Sequence, residues 1–246
     1  KSVGLDAVHE KVKEQGEAEN IRRDCDGKEA IVKSVKTERK TVNPPHLYDL
    51  TTLQREANRL YGFTAQQTLD YTQSLYEMKL VTYPRTDSQY ITDDMDGTAR
   101  NIAESVAGKL PHFSGIVIAP ETKRVINNKK VSDHHAIIPT EEVSSTDLST
   151  VPEGERKILY LIANRLLCAT NEPYIYETVT AEISCSGYSF VAKGRNVISE
   201  GWKAIEKAFR DFQKCKDDTE EEEETLSLAE GQVIERPVSE VSEHYT

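Results

Sequence analysis

Apolar positions divide the chain into a helical middle and β-patterned ends. Near the start, Val3, Leu5, Val8 and Val12 recur at loosely helical spacing among polar residues, which predicts a surface helix over 2–20. Residues 29–42 (EAIVKSVKTERKTV) are rich in β-branched side chains and predict a strand, stopped by Asn43-Pro44-Pro45. The period then becomes helical. Leu53, Ala57 and Leu60 fall at i, i+4 and i+7, and Gly62 stands where a C-terminal cap belongs. Thr64 with Gln67 three residues on is a capping-box start, and Leu69, Gln73, Tyr76 and Leu80 follow on one face. Two helices joined at Leu60–Thr64 have the layout of a helix-turn-helix. Thr92, with Asp93 and Asp94, begins another helix carrying Ala99, Ile102, Ala103 and Val106, and Pro152 opens one carrying Ile158, Leu159, Ile162 and Leu166. After Pro173 the period drops to two. Thr178–Cys185 alternates, Ser186-Gly187 turns and Tyr188–Lys193 returns, which predicts a hairpin, and Val233–Val241 predicts a last strand. The expected class is α+β, a β-rich domain with a helical, helix-turn-helix-like domain of roughly 50–172 inserted in it.

Composition narrows the classes of function. The chain has 246 residues, 30% of them charged, and a net charge of −11. No run approaches the roughly 18 apolar residues of a membrane-spanning helix. Cys25, Cys168, Cys185 and Cys215 are scattered without a CxxC pair, so neither a disulfide framework nor a zinc site is expected. A charge of −11 counts against contact with a polyanion, until its distribution is considered. Residues 1–140 hold 20 basic and 20 acidic side chains; residues 141–246 hold 11 and 22. Seven of those acids lie in one run, Asp217-Asp218-Thr219 and Glu220 to Glu224, which predicts a solvated loop.

Three segments carry candidate chemistry, all in the neutral part. In Leu80-Val81-Thr82-Tyr83-Pro84-Arg85-Thr86-Asp87-Ser88, Pro84 pushes Tyr83 out of helical conformation and presents its ring on a loop. Arg85 offers a guanidinium fork suited to a phosphate. A tyrosine nucleophile must lose a proton near pH 10 and so needs positive charge nearby. A structural tyrosine in a turn explains the same residues. In Ser132-Asp133-His134-His135-Ala136-Ile137-Ile138-Pro139-Thr140, adjacent histidines point different ways and make poor joint metal ligands, but one can donate to a phosphate or a leaving oxygen. Two surface histidines in a loop are the plainer reading. On the lead-in helix, Gln73, Tyr76, Glu77 and Leu80 share a face that reaches toward the Tyr83 loop, where Gln73 and Glu77 are equally a solvated pair.

Taken together, Gln73 to Ser88 resembles the active-site signature of the type IA DNA topoisomerases. Leu50-Thr51-Thr52-Leu53-Gln54-Arg55-Glu56-Ala57-Asn58 resembles the helix before it, and Ser132–Thr140 resembles the family's second block in its bacterial topoisomerase III form. The resemblance runs in order from about residue 43 onward. It implies that Tyr83 attacks a single-stranded DNA phosphodiester to form a 5′-phosphotyrosyl link, later resealed without ATP. It implies that Arg85 holds the scissile phosphate and that His134 assists near the cleaved bond. Gln73, Thr82, Thr86, Asp87 and His135 would shape the site and contact the strand. The same resemblance implies a TOPRIM domain that binds Mg²⁺ and a further helical DNA-binding domain, neither visible in this sequence. Asp94 and Asp96 sit at a helix start and read as capping charge instead. The chain is therefore expected to be a fragment, inactive alone and monomeric. Its partners are single-stranded DNA and the missing domains, with no membrane involved and a bacterial cytoplasmic location. The implied domains are the first part of the arch (1–49), the tyrosine-bearing helical domain (50–172) and the second part of the arch (173–246), with an acidic loop at about 216–225. The runner-up is a non-catalytic helix-turn-helix DNA-binding module, disfavoured because 64–80 carries only Lys79 against Asp70 and Glu77. A tyrosine recombinase is disfavoured because its tyrosine follows its histidine, whereas Tyr83 precedes both histidines.

Overall fold

The computed structural model describes residues 6–110, 113, 120–213 and 225–242. The class is α+β, and the chain falls into two units. One comprises residues 1–41, 175–199 and 219–246; the other comprises 42–174 and 200–218. The units change at 41/42 and 174/175, where the expected divisions were 49/50 and 172/173, and residues 200–218, expected in the second part of the arch, group with the helical unit.

The β unit is a five-stranded sheet: β1 (Ala7–His9), β2 (Ala30–Val42), β3 (Tyr174–Cys185), β4 (Tyr188–Ser199) and β5 (Val233–Ile234), in the order β1-β4-β3-β2-β5. The predicted hairpin is its centre. β3 and β4 run antiparallel, Cys185 opposite Tyr188, around Ser186 and Gly187, which both have positive φ (50° and 87°) as a tight I′-type turn demands. Alternation buries Val179, Ala181, Ile183 and Cys185 on one face. Helix α1 (Gln15–Cys25) covers that face with Ile21 and Cys25.

Two expectations are corrected here. The helix over 2–20 is replaced by β1 and α1, because Ala7, Val8 and His9 pair with Ala192, Val191 and Phe190 at the sheet edge, and tertiary pairing overrides a weak helical spacing. The last strand is only Val233–Ile234. Arg236 turns left-handed (φ 50°) and Pro237 has no N–H to give a ladder. The acidic run and residues 243–246 lie outside the described residues.

The second unit is helical: α2 (Leu50–Tyr61), α3 (Ala65–Glu77), α4 (Asp96–Lys109), the single turn α5 (Glu142–Ser145), α6 (Glu153–Ala169) and α7 (Trp202–Gln213). Asp49 caps α2, and Gly62 ends it in the left-handed conformation (φ 69°). Thr64 and Gln67 close the capping box of α3, with Thr64 Oγ1 accepting from the Gln67 N–H at 3.1 Å and Gln67 Oε1 accepting from the Thr64 N–H at 2.9 Å. Helix α6 is the centre of the core. Ile158, Leu159, Leu161, Ile162, Leu166 and Leu167 are almost wholly buried, and α3 and α7 pack against it. Sequence reading passed over α7, although Trp202, Ile205 and Phe209 at i, i+3 and i+7 mark its buried face. Asp96 opens α4, as capping charge should, and its carboxylate also accepts from Thr122 Oγ1.

Candidate active site

The loop bearing Tyr83 begins where α3 ends. Lys79 takes a left-handed conformation (φ 61°), and the Leu80 N–H reaches back to the Leu75 carbonyl at 2.9 Å, closing the helix in the manner usual for glycine. A lysine there is strained by about 1 kcal/mol. Thr140 holds the turn in place: its Oγ1 donates to the Lys79 carbonyl, and its N–H donates to the Leu80 carbonyl at 3.0 Å.

From there, the segment 80–91 lies along 126–140 in an irregular seam. Val81 bridges Pro139 and Ile91 bridges Ile126, while Tyr48 bridges Ile137 from the other side. Thr82 is the main tie. Its N–H donates to the Ile138 carbonyl, its Oγ1 accepts from the Ile138 N–H, and the same hydroxyl donates to the Ala136 carbonyl, each at 3.0 Å. Thr86 Oγ1 donates to the His134 carbonyl at 2.9 Å, and the Thr86 carbonyl accepts from the Leu50 N–H at the start of α2. Ser88 Oγ donates to the Lys130 carbonyl at 2.9 Å. Leu80, Val81, Ile91, Ala136, Ile137 and Ile138 anchor the seam from below, each at most 1% exposed.

This seam brings together residues about 50 positions apart in sequence. The half-buried Tyr83 ring lies against the exposed His134 ring, centroids 4.4 Å apart and planes at 43°. Tyr76, from the last turn of α3, packs edge-on against Tyr83 at 5.4 Å. Arg85 is exposed, two residues beyond Tyr83, and makes no hydrogen bond or ion pair with a described residue, so its guanidinium is available to an anion. Asp87 is exposed beside it. His135 is half-buried, and its Nδ1 lies 2.8 Å from the Ala136 carbonyl. A carbonyl only accepts, so Nδ1 carries the hydrogen, and the ring is held by the backbone of the next residue.

Gln73 turns along its own helix instead of toward the Tyr83 ring: its Nε2 donates to Glu77 Oε1 at 3.1 Å, the pairing along one helix face that the spacing allows. Tyr76, on the same face, makes the contact instead. Sequence reasoning also passed over a neighbouring cluster. Tyr90 carries Lys130 over its ring at 4.8 Å, and His46 leans on it at 5.0 Å. The run of cations in 121–130 was its sequence mark.

Behind the seam, Arg165 stacks on the Tyr48 ring at 4.2 Å, donates to its hydroxyl at 2.9 Å and reaches Glu56 at 3.4 Å. Burial raises the Tyr48 phenol well above its ordinary value, so it stays neutral and structural. The described residues do not fit a Mg²⁺ site. Among the described residues no three His, Cys, Asp or Glu side chains converge, and Asp96 is engaged by Thr122.

Comparison with known proteins identifies the family. The family model described as DNA topoisomerase matches residues 4–246. The chain is 42% identical over 214 residues to a DNA topoisomerase 3 from Bacillus licheniformis, an alignment covering 85% of this chain and 29% of that protein. It is 39% identical over 210 residues to the DNA topoisomerase 3 of Bacillus subtilis strain 168, covering 83% and 28%. The chain thus spans under a third of the length of these relatives. Its fold matches that of full-length topoisomerase I from Thermotoga maritima with a TM-score of 0.64 at 22% identity, over 94% of this chain and 36% of the other. With a family match over nearly all its residues and relatives this similar across four-fifths of it, the chain belongs to the type IA DNA topoisomerases and is topoisomerase III-like.

Proposed function

We propose that this chain supplies the nucleophile for cleaving and passing single strands of DNA. The observation that carries the reading is Tyr83, displayed on a pinned loop with His134 against its ring and the unpartnered Arg85 two residues on. In the proposed step, the Tyr83 phenol gives up its proton and its oxygen attacks phosphorus. The new bond joins Tyr83 to the 5′ side of the break. The bond from phosphorus to the 3′ oxygen breaks, and that oxygen takes up a proton. Resealing is the reverse: the 3′-hydroxyl attacks and the Tyr83 oxygen leaves. One phosphate ester is exchanged for another in each direction, so no ATP is needed. Arg85 would hold the non-bridging oxygens, on which charge accumulates. His134 would donate to the phosphate or to the departing 3′ oxygen. Thr82, Thr86 and His135 would act by fixing the seam, with Gln73 and Asp87 at its rim.

The Mg²⁺ and the acidic TOPRIM residues belong, in this reading, to a complementary part of the polypeptide, which together with a further helical domain also holds most of the DNA. The fragment alone would then be a monomer that binds DNA weakly and does not cleave it. A cytoplasmic location belongs to the same proposal. The runner-up, a non-catalytic helix-turn-helix module, gains nothing from α3, whose 13 residues contain no basic side chain.

The test is covalent. The chain is mixed with the complementary TOPRIM-containing part, Mg²⁺ and a 3′-end-labelled single strand, then denatured. A labelled adduct is expected on Tyr83 with the parent chain and none with Tyr83→Phe. An adduct that survives Tyr83→Phe overturns the assignment.

A further inference from the structure

Residues 121–130 (ETKRVINNKK) carry four basic side chains and one acidic, within a chain of net charge −11. Lys123, Arg124, Lys129 and Lys130 are all exposed on two short 3₁₀ turns, Thr122–Val125 and Asn128–Lys130. None of the four is ion-paired with a described residue. Several other cations of the helical unit are ion-paired: Arg59 to Glu56, Lys157 to Glu153, and Lys203 and Arg210 to Glu206. The acids close to the run do not neutralise it. Glu121 Oε1 accepts the Lys123 backbone N–H at 3.4 Å, Asp93 meets Asn128 through its own backbone N–H, and Asp133 is exposed three residues beyond Lys130.

Beside these cations stand two accessible aromatic rings. The Lys130 ammonium lies 4.8 Å from the Tyr90 ring centre and donates to its hydroxyl at 3.3 Å. His46 is exposed, with its ring centre 5.0 Å from that of Tyr90 and tilted 47° to it. The rings therefore form an open corner and not a closed stack. The corner is continuous with the Tyr83 seam. Ser88 Oγ ties Lys130 to the strand that follows Arg85, the Ala136 N–H donates to the Tyr90 carbonyl at 2.9 Å, and Ile91 exchanges backbone bonds with Val125 and Asn127. His134 lies four positions beyond Lys130, a span of at most about 14 Å.

We propose that the corner of His46, Tyr90 and Lys130, with Lys123, Arg124 and Lys129 beside it, is a second single-strand subsite that holds the DNA running away from Tyr83. An unpaired base stacks on the His46–Tyr90 corner, and the phosphates flanking it meet the ammonium and guanidinium groups. The inference rests on the reading of Tyr83 as a strand-cleaving nucleophile and adds to it where the strand goes. Aromatic rings and unpaired cations along one track are the chemistry of sequence-tolerant single-strand binding, because every base has a face to stack and every phosphate a charge. Duplex DNA offers the same phosphates but no free base.

Binding of a fluorescent oligothymidylate to the 246-residue chain, followed by anisotropy over a salt series, tests this. Tyr90→Leu is expected to weaken single-strand binding roughly five-fold or more, to leave the salt dependence unchanged and to spare duplex binding. Tyr90→Phe keeps the ring and should keep most of the affinity. Lys129→Ala with Lys130→Ala should lower the slope of log affinity against log salt by about 1.4, roughly 0.7 per phosphate contact released. These measurements read binding at the His46–Tyr90 corner and not cleavage, so failure of the nucleophile reading shows in the covalent assay and not here. The subsite is overturned if the parent chain does not bind a single strand. It is equally overturned if the folded variants bind as the parent does, or if Tyr90→Leu weakens duplex and single strand alike.

Discussion

Thr82→Val is the sharpest probe of what holds the site together. The exchange keeps the shape of the side chain and removes its hydroxyl. That hydroxyl accepts from the Ile138 N–H and donates to the Ala136 carbonyl, both at 3.0 Å and both on residues without solvent exposure. The two losses differ. The Ala136 carbonyl keeps a second donor, His135 Nδ1 at 2.8 Å, so its loss is one ordinary bond, about 1 kcal/mol. The Ile138 N–H has Thr82 Oγ1 as its acceptor and is left buried and unmet, at about 1–3 kcal/mol. The expected destabilisation is about 2–4 kcal/mol, a large share of the 5–15 kcal/mol typical of a domain. Thr82→Ser is the control. It keeps both bonds and removes one methyl group, at about 1 kcal/mol. Urea unfolding followed by the fluorescence of Trp202, which lies in the same unit, reads both variants. The reasoning is refuted if Thr82→Val falls within about 0.5 kcal/mol of the parent, or if Thr82→Ser costs as much as Thr82→Val, since the hydroxyl would then not be the tie.

Three further outcomes follow from other parts of the chain. A Cβ added at Gly201 (φ 45°) would stand 2.3 Å from the Pro173 carbonyl oxygen, whereas one at Gly62 (φ 69°) would meet nothing within 4 Å. Gly62→Ala should therefore cost about 1 kcal/mol, the left-handed penalty alone. Gly201→Ala should cost about 3 kcal/mol or more and lower the melting temperature by roughly 6–12 °C; equal costs in thermal melts would contradict the clash. Thr64→Ala removes half of the α3 capping box and should cost about 1 kcal/mol in the same melts. Cys25 and Cys185 are buried, each thiol set against the other residue's carbonyl (3.5 and 3.6 Å), and burial pushes the Cys25 thiol up to about 12. Its folded value lies above its unfolded one, so the stability it contributes is full below about pH 8.5 and is lost as the pH rises toward 12. Cys25 should resist iodoacetamide at pH 8 until urea is added, as peptide mass mapping will show; rapid labelling of the native chain would sink that account.

Local chemistry and long-range pairing were unequally legible in the sequence. Helices α2 and α6 could be read because their apolar spacing and their end signals agree: Gly62 closes one, and Pro152 opens the other. The β3–β4 hairpin could be read because alternation and the Ser186-Gly187 turn point the same way. The start of the chain could not, because β1 exists only through its register with β4, a partner more than 180 residues away. Helix α7 carries its pattern in the sequence, but it begins only three residues after the β period ends at Ser199, with no proline between to mark the change.

The site divides along the same line. That Tyr83 must leave the helix follows from Pro84 alone. That His134 should be its neighbour does not follow from any local rule, since 50 residues lie between them. The pairing is written in hydroxyl groups. Thr82, Thr86, Ser88 and Thr140 each bond backbone on the facing segment, and to sequence inspection each is only a polar residue in a loop. A row of hydroxyls gives an irregular seam its register where a regular ladder is absent, since each one satisfies buried backbone groups that two bent segments cannot pair between themselves. Of the eight residues named from the sequence, Thr82, Thr86 and His134 join this seam through a hydroxyl or a carbonyl, and the seam sets the His134 ring against Tyr83, while the His135 ring bonds the carbonyl of the next residue. Gln73 sits on a helix whose geometry is complete without the seam, and it pairs with its own neighbour. The same account explains Tyr90 and Lys130. They lie on the two segments that Ser88 ties together, so the bonds that present Tyr83 and His134 also carry an aromatic ring and an ammonium group along one continuous track.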